Sequence, residues 1–491
     1  MGSEMCIRDS FRSGPPNFSD ASVVKSLPRQ TKVIVTIGPA TESAAMIEKL
    51  IRQGMDICRL NMAHADHNWI RSVTEKIRRI GSNLNREPAI MMDVKGPEIR
   101  TGYLRKEVDL KKDDLLDLVF EAQPNPPILE EVWQIEVNYD KLPEHIKCGD
   151  TVLLDNGLIP LSVIHSSPKQ IRCRVLQDAT LKSRRHVNLP GIETGLPSLT
   201  EKDKRDSIVG IECKHDYFAL SFTRDADSID LFRSFLRKNG SDAQIIAKIE
   251  DHKGVQNIEE IIKAADALMV ARGDLGIECA FEDLPIIQRK AVGSCLANGR
   301  PVIVATHMLE SMIKSPVPTR AEISDVANAV NEGADCIMLS GETTTGKYPI
   351  ECLKMLNRIA SRMEAEIQPG LTEDLKLFRP KAKMLRSAAM LAMRIENSAV
   401  LVFTRSGDLA SKLGALRPNG APLFAFTDVE GLHRRLRLIW GIEPFLMNFS
   451  DDPEVTIQNA IKKLCEENWV QALDQLCLLY TSDAADDTPC V

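Results

Sequence analysis

Eight short apolar runs, each closed by a glycine, a polar or a charged residue, constrain this chain more than any other feature. They cover residues 31–38, 55–60, 89–93, 217–222, 245–249, 267–271, 301–305 and 336–339. Helical patterns lie between them, as at 43–53, where Ala45, Ile47 and Leu50 are among the apolar residues, and at 67–83. Strand–helix alternation predicts a parallel sheet with helical crossovers. Eight such units predict a (β/α)8 TIM barrel, which carries its active site at the C-terminal ends of the strands. At those ends stand Gly38, Arg59, Asp93, Ser221 with Arg224, Lys248, Gly273 with Asp274, Thr306 and Ser340. The bodies of the runs are apolar, so the polar residues gather at one end of the expected barrel.

The rhythm breaks once. From Thr101 to Leu196 no long amphipathic helix is legible, and short strand-like runs are punctuated by turn residues such as Asp155-Asn-Gly157. This predicts a small β domain inserted between two parts of the barrel. A last α/β unit begins near Met384, with strands at Val400–Thr404 and Leu423–Phe426, and is expected to stop near Val470 where another strand is due. The expected divisions are a tail at 1–21, barrel at 22–100 and 198–368, the β insert at 101–197, an incomplete α/β domain at 369–470 and a second tail at 471–491.

Both tails read as foreign. Met5-Cys-Ile-Arg-Asp-Ser10 can be encoded by a DNA segment whose opposite strand encodes Cys-Leu-Leu-Tyr-Thr, and that peptide stands at Cys477–Thr481. Both resemble translated sequencing-library adapter, with Ser482–Asp486 as its continuation, and both are left out of the fold reasoning.

Composition mainly excludes. A net charge of -7 gives no footing for general nucleic-acid binding. The 12 cysteines are scattered singly, which reads as reduced thiols of a cytoplasmic protein. No apolar run approaches the ~18 residues of a membrane helix. The first residues have no secretory pattern.

Strand side chains alternate, so Lys248 and Glu250 share a face. They can be a buried structural pair. With Asp274 at the end of the next strand they also suit an oxygen-ligated Mg²⁺ (or Mn²⁺) beside an anionic ligand. Gly273-Asp274-Leu275-Gly276 can be an ordinary turn, or a helix start whose N–H groups bind an anion. Arg59 suits a phosphate. Asn61 and Asp93 offer oxygens for a second cation. His64 reads equally as a surface histidine, and Thr306 equally as a helix N-cap.

Taken together, the motifs resemble the pyruvate kinase family. They are Thr31–Ala40, Arg59-Leu-Asn61, Asp93–Gly102, Asp155–Leu158, Val187–Gly191, Ile246–Glu250, Met269–Ile277, Ala305–Met312, Pro318–Glu322 and Leu339–Thr343. The resemblance implies a barrel, an inserted β-barrel lid, a C-terminal α/β domain, and phosphoryl transfer from phosphoenolpyruvate to ADP. It implies Mg²⁺ on Glu250 and Asp274, and K⁺ on Asn61, Asp93 and the Val94 carbonyl. It implies phosphoenolpyruvate against Arg59, Lys248, Gly273, Asp274 and Thr306, with Lys248, Thr306 and Arg59 as the catalytic groups. Asn61, His64, Arg100 and Arg185 are implied to lie toward the nucleotide. Ala63 stands where the family usually has a K⁺-ligating serine, His307 where glutamine is common, and Arg185 where lysine is frequent. Asp251 and Lys253 depart mildly from the signature around Lys248. Glu98 is the acid of K⁺-dependent members. A homotetramer is implied once the C-terminal domain is complete. Two other readings remain open at this point: a lyase handling phosphoenolpyruvate or pyruvate through an enolate, and a non-catalytic binding protein.

Overall fold

The eight runs form the eight strands of one closed barrel in the computed structural model, which describes residues 29–120, 132–366, 375, 380–471 and 474–479. The strands are Lys32–Thr36, Ile57–Asn61, Ala89–Asp93, Tyr217–Leu220, Gln244–Ile249, Ala267–Ala271, Val302–Ala305 and Cys336–Leu339. Each runs parallel to its neighbours, and the eighth closes on the first from Lys32↔Cys336 to Val35↔Leu339. Helices return the chain between strands. The first, Ala44–Arg52, starts where the Ser43 hydroxyl accepts the Met46 N–H. Its buried Ile47, Leu50 and Ile51 are the apolar stripe that its period requires.

Period-2 alternation decides what faces the barrel interior. Ile57, Met91, Ala219 and Ile246 belong to the interior cluster, while Cys58, Met92, Leu220 and Ala247 pack outward under the helices. Two residues further along each strand the interior position comes round again, now at the C-terminal mouth. Ile57 is thus followed by Arg59 and Asn61, Met91 by Asp93, Ala219 by Ser221, and Ile246 by Lys248 and then Glu250. Apolar residues fill the middle of the barrel, and the same spacing places charge at its mouth.

The opposite mouth is closed by the C-terminal domain. Leu438 joins the interior cluster, the Tyr217 hydroxyl donates to the Arg435 carbonyl at 2.5 Å, and the Lys32 ammonium donates to the Ile442 carbonyl at 2.7 Å. Arg417 makes a two-pronged pair with Asp335, both bonds at 2.8 Å, and lies over the Trp440 ring. Asp335 also accepts the N–H groups of Val302 and Trp440, so one buried carboxylate binds barrel and C-terminal domain together.

The expected inserted β domain is present and consists of two sheets. Six strands lie in the order Val187–Asn188, Thr151–Leu154, Ile159–Ser167, Gln170–Val175, Leu115–Val119, Val132–Glu136, and Ala179–Leu181 pairs with Val108–Leu110. The insert has its own apolar cluster around Leu116, Val152, Leu161 and Cys173.

The C-terminal sheet is parallel, in the order Ile442–Leu446, Leu423–Thr427, Ser398–Phe403, Gln475–Leu479. The last strand corrects the expected end of this unit near Val470. Gln475–Leu479 pairs with Ser398–Val402, and Leu479 is fully buried. The adapter-like Cys477-Leu-Leu479 meets the need of this edge, which asks only for a short apolar run able to continue the ladder. Residues 1–28, and with them the expected tail at 1–21, lie outside the described residues, as does the remainder of the adapter-like stretch after Leu479. No helix among the described residues is long and apolar enough to cross a membrane.

His215 gives the fold a measurable acid sensitivity. It is buried between helices His67–Asn83 and Glu201–Glu212, Nε2 lies 2.9 Å from the Thr74 hydroxyl, and Nδ1 has no partner. Burial, aided by Arg78, lowers its pKa from 6.5 to about 3. Between those values the unfolded chain binds a proton that the native chain does not, so stability falls as pH drops from 6.5 toward 3. His215→Gln is expected to remove about 1.4 kcal/mol per pH unit from the acid slope of the urea-unfolding free energy. An unchanged slope between pH 6 and pH 4 would refute this.

Candidate active site

Five interior positions, Arg59, Asp93, Ser221, Lys248 and Glu250, meet at the C-terminal mouth. Lys248 is the next-to-last residue of the fifth strand and is 8 % exposed. Its ammonium lies 2.7 Å from Glu250 Oε1, 2.8 Å from Ser221 Oγ and 3.2 Å from Asp93 Oδ1. Arg59 donates from Nε to Asp93 Oδ2 at 2.7 Å and from Nη1 to the Thr36 hydroxyl at 3.2 Å. Glu250 is 1 % exposed, and its second oxygen accepts the Phe222 N–H at 2.6 Å.

Three carboxylates, those of Asp93, Glu250 and Asp274, face two cations, Lys248 and Arg59, so the ionised cluster is short of one positive charge. The titration of the groups reflects that imbalance. Burial opposes ionisation of Asp93, but Lys248 and Arg59 outweigh it and hold its pKa below the usual carboxylate range. Burial also opposes the charge on Lys248, yet Asp93 and Glu250 push its pKa up. Glu250 is the group left over. Burial and the nearby Asp274 raise it to about 7 against the pull of Lys248. A buried site one charge short, lined by carboxylate oxygens, suits a hard cation.

The sixth strand passes directly into helix Arg272–Glu278, with Asp274 in its first turn. The Gly273 N–H donates to the Thr306 hydroxyl at 2.7 Å, which in turn donates to the Ala305 carbonyl at 2.6 Å. Thr306 holds φ +68, a left-handed backbone that a β-branched residue adopts only when forced. Arg272 holds this turn, its Nη2 donating to the Thr306 carbonyl at 2.6 Å and its Nη1 pairing with Asp325 at 2.8 Å. Arg272 had no role on sequence grounds. Nor did Phe222, whose φ of +51 turns its N–H onto Glu250.

The second-cation candidates are adjacent. Asn61 and Asp93 are register partners on neighbouring strands. Asn61 Oδ1 accepts the Ala63 N–H at 3.0 Å, and the Val94 carbonyl accepts the Ser221 hydroxyl at 2.7 Å. Ala63 brings no side-chain oxygen. His64 is exposed on the turn after the second strand.

Arg100 and Arg185 sit with the insert. Arg100 donates to Glu98 at 2.8 Å and to the Arg184 carbonyl at 3.0 Å, and it touches His186. Arg185 pairs with Asp155 at 3.2 Å. Neither is bonded to the barrel-mouth cluster. Burial opposes ionisation of Glu98, but its bonds to His186, Arg100 and Lys95 hold its pKa well below the usual range. The insert meets the barrel where Asn188 Nδ2 donates to Glu278 at 3.0 Å and Arg224 reaches Thr194 at 3.4 Å. A cleft lies between them, lined by His186, Asn188, Arg224 and Glu278.

Known proteins match this arrangement along nearly its whole length. Residues 28–353 match the family model "Pyruvate kinase, barrel domain", and residues 382–483 match "Pyruvate kinase, alpha/beta domain". Plastidial pyruvate kinase 2 of Arabidopsis thaliana is 37% identical over 474 residues, covering 94% of this chain and 80% of the relative. A pyruvate kinase of Sporosarcina psychrophila is 38% identical over 451 residues, covering 90% and 76%. The crystal structure of a Cryptosporidium parvum pyruvate kinase superposes with a TM-score of 0.86 at 32% identity, covering 92% of this chain and 93% of that one. The chain belongs to the pyruvate kinase family, whose members are phosphotransferases.

Proposed function

We propose that the barrel mouth transfers the phosphoryl group of phosphoenolpyruvate to ADP, giving pyruvate and ATP. The observation that carries the assignment of roles is the buried Lys248 ammonium, kept charged among carboxylates at the inner end of its strand. In the reaction the bond from phosphorus to the enol oxygen breaks and a bond to a terminal oxygen of ADP forms. The electron pair stays on the enolate, which takes a proton at carbon. A fixed cation without solvent competition stabilises the charge spread over the transferring phosphoryl oxygens. Lys248 is that cation.

Arg59 grips the phosphate, with part of its guanidinium held by Asp93. Gly273 offers its N–H to the substrate carboxylate, taking it from the Thr306 hydroxyl. That exchange frees Thr306 to hold or pass the proton destined for the enolate carbon. Asn61, His64, Arg100 and Arg185 face the nucleotide, with the two arginines carried by the insert. Glu250 and Asp274 would hold Mg²⁺ or Mn²⁺, since carboxylate oxygens are the ligands that such hard cations take. That ion supplies charge to the phosphoryl and enolate oxygens when bound. Asn61, Asp93 and the Val94 carbonyl form an all-oxygen set that fits K⁺, and Ala63 leaves it one hydroxyl poorer.

We place the chain in the cytoplasm, supported by the unbridged thiols of Cys58, Cys173, Cys295, Cys336 and Cys352. We infer a homotetramer, supported by Met384, Met390, Leu391 and Met393, which are exposed on helix Pro380–Arg394.

Lys248→Met is expected to lower ATP formation from phosphoenolpyruvate and ADP by about 10³-fold, and retention of parental turnover removes Lys248 from the mechanism. Glu250→Gln is expected to weaken Mn²⁺ binding at least about 10-fold, read from the free-ion paramagnetic resonance signal; equal titrations of parent and variant would sink the metal assignment. K⁺ is expected to stimulate turnover with loose saturation, and equal rates in K⁺-free and K⁺-replete buffer would contradict the Asn61–Asp93–Val94 site.

A further inference from the structure

An ammonium has three N–H bonds, and those of Lys248 have three acceptors: Glu250, Asp93 and Ser221. Two are anions that draw the lysine onto themselves. The third is neutral, and nothing above gives it a role. Ser221 is 3 % exposed. Its single hydroxyl proton is committed to the Val94 carbonyl at 2.7 Å. The Asp93 oxygen at 3.5 Å is too far to compete for that proton. Toward Lys248, then, Ser221 Oγ can act only as an acceptor.

The position of this oxygen is fixed from both sides. Phe222, the next residue, is held in left-handed backbone while its N–H donates to Glu250. On the other side Gly96 packs so closely that a Cβ there would stand 2.8 Å from Ser221 Cβ. One hydrogen-bond chain therefore runs from Lys248 through Ser221 to Val94, across the fifth, fourth and third strands.

We propose that Ser221 is a positioning residue for phosphoryl transfer. Its hydroxyl holds the Lys248 ammonium off a full collapse onto Glu250 and Asp93, so the charge stays directed at the transferring group. No proton leaves Ser221, because its part is to accept one hydrogen bond and give another. The inference rests on the reading of Lys248 above.

Ser221→Ala removes the acceptor without adding bulk. It is expected to lower kcat about 10- to 100-fold while KM for phosphoenolpyruvate stays within about 2-fold of the parent. Ser221→Thr, which restores the hydroxyl, is expected to recover most of the loss. A purely structural role would give no such split and no rescue by the hydroxyl. The proposal is overturned if Ser221→Ala keeps kcat, if its defect lies in KM alone, or if Ser221→Thr is as slow as Ser221→Ala. A parent that makes no ATP sinks the reading of the reaction instead. An active parent with a dead Lys248→Met and an intact Ser221→Ala sinks the role of Ser221 alone.

Discussion

The structure depends on one electrostatic constraint, a buried cluster at the barrel mouth in which three carboxylates face two cations. Removing such groups from water is costly unless each finds a partner. Asp93 is satisfied by Arg59 and Lys248, and Lys248 by Asp93, Glu250 and Ser221. Glu250 accepts from Lys248 and from the Phe222 N–H, yet burial and the nearby Asp274 push its pKa up.

Such a cluster needs a rigid frame, and both ends of the barrel contribute. The middle is packed with buried apolar side chains, and the opposite mouth is closed by Leu438 and the bonds around Asp335 and Lys32. With that end fixed to the C-terminal domain, strand positions at the active mouth are not free to slide. The backbone strain seen there is local and held by identified groups. Arg272 donates to the Thr306 carbonyl, and Glu250 accepts the Phe222 N–H. Strained residues persist only where the surroundings over-determine them, and both lie at the ends of barrel strands beside the cluster.

Much of this was legible in the sequence because the relevant rules are local. Apolar strand bodies with polar ends marked the eight strands, and period-2 alternation put Lys248 and Glu250 on one face. The roles of Ser221 and Arg272 were not legible, since their partners come from distant segments. Ser221 meets Val94 across 127 positions, and Arg272 meets Asp325 across 53. Leu438 was hidden for the same reason, because nothing in its neighbours marks it as a plug for a barrel mouth. The strand at Gln475–Leu479 was missed through reasoning about the origin of its residues, whereas the sheet edge responds only to their shape and polarity.

Pairing within the protein also explains why the site can be quiet before substrate arrives. The Gly273 N–H is engaged by Thr306, the Lys248 N–H groups by three acceptors, and Arg59 by Asp93. These donors are therefore already engaged within the protein, Arg59 in part. Binding then exchanges one hydrogen bond for another instead of creating bonds from nothing, which keeps ground-state affinity modest. The gain is concentrated where charge moves during the reaction. That requires Lys248 to remain free to turn toward the phosphoryl group, and a neutral third acceptor releases it more easily than a third carboxylate would.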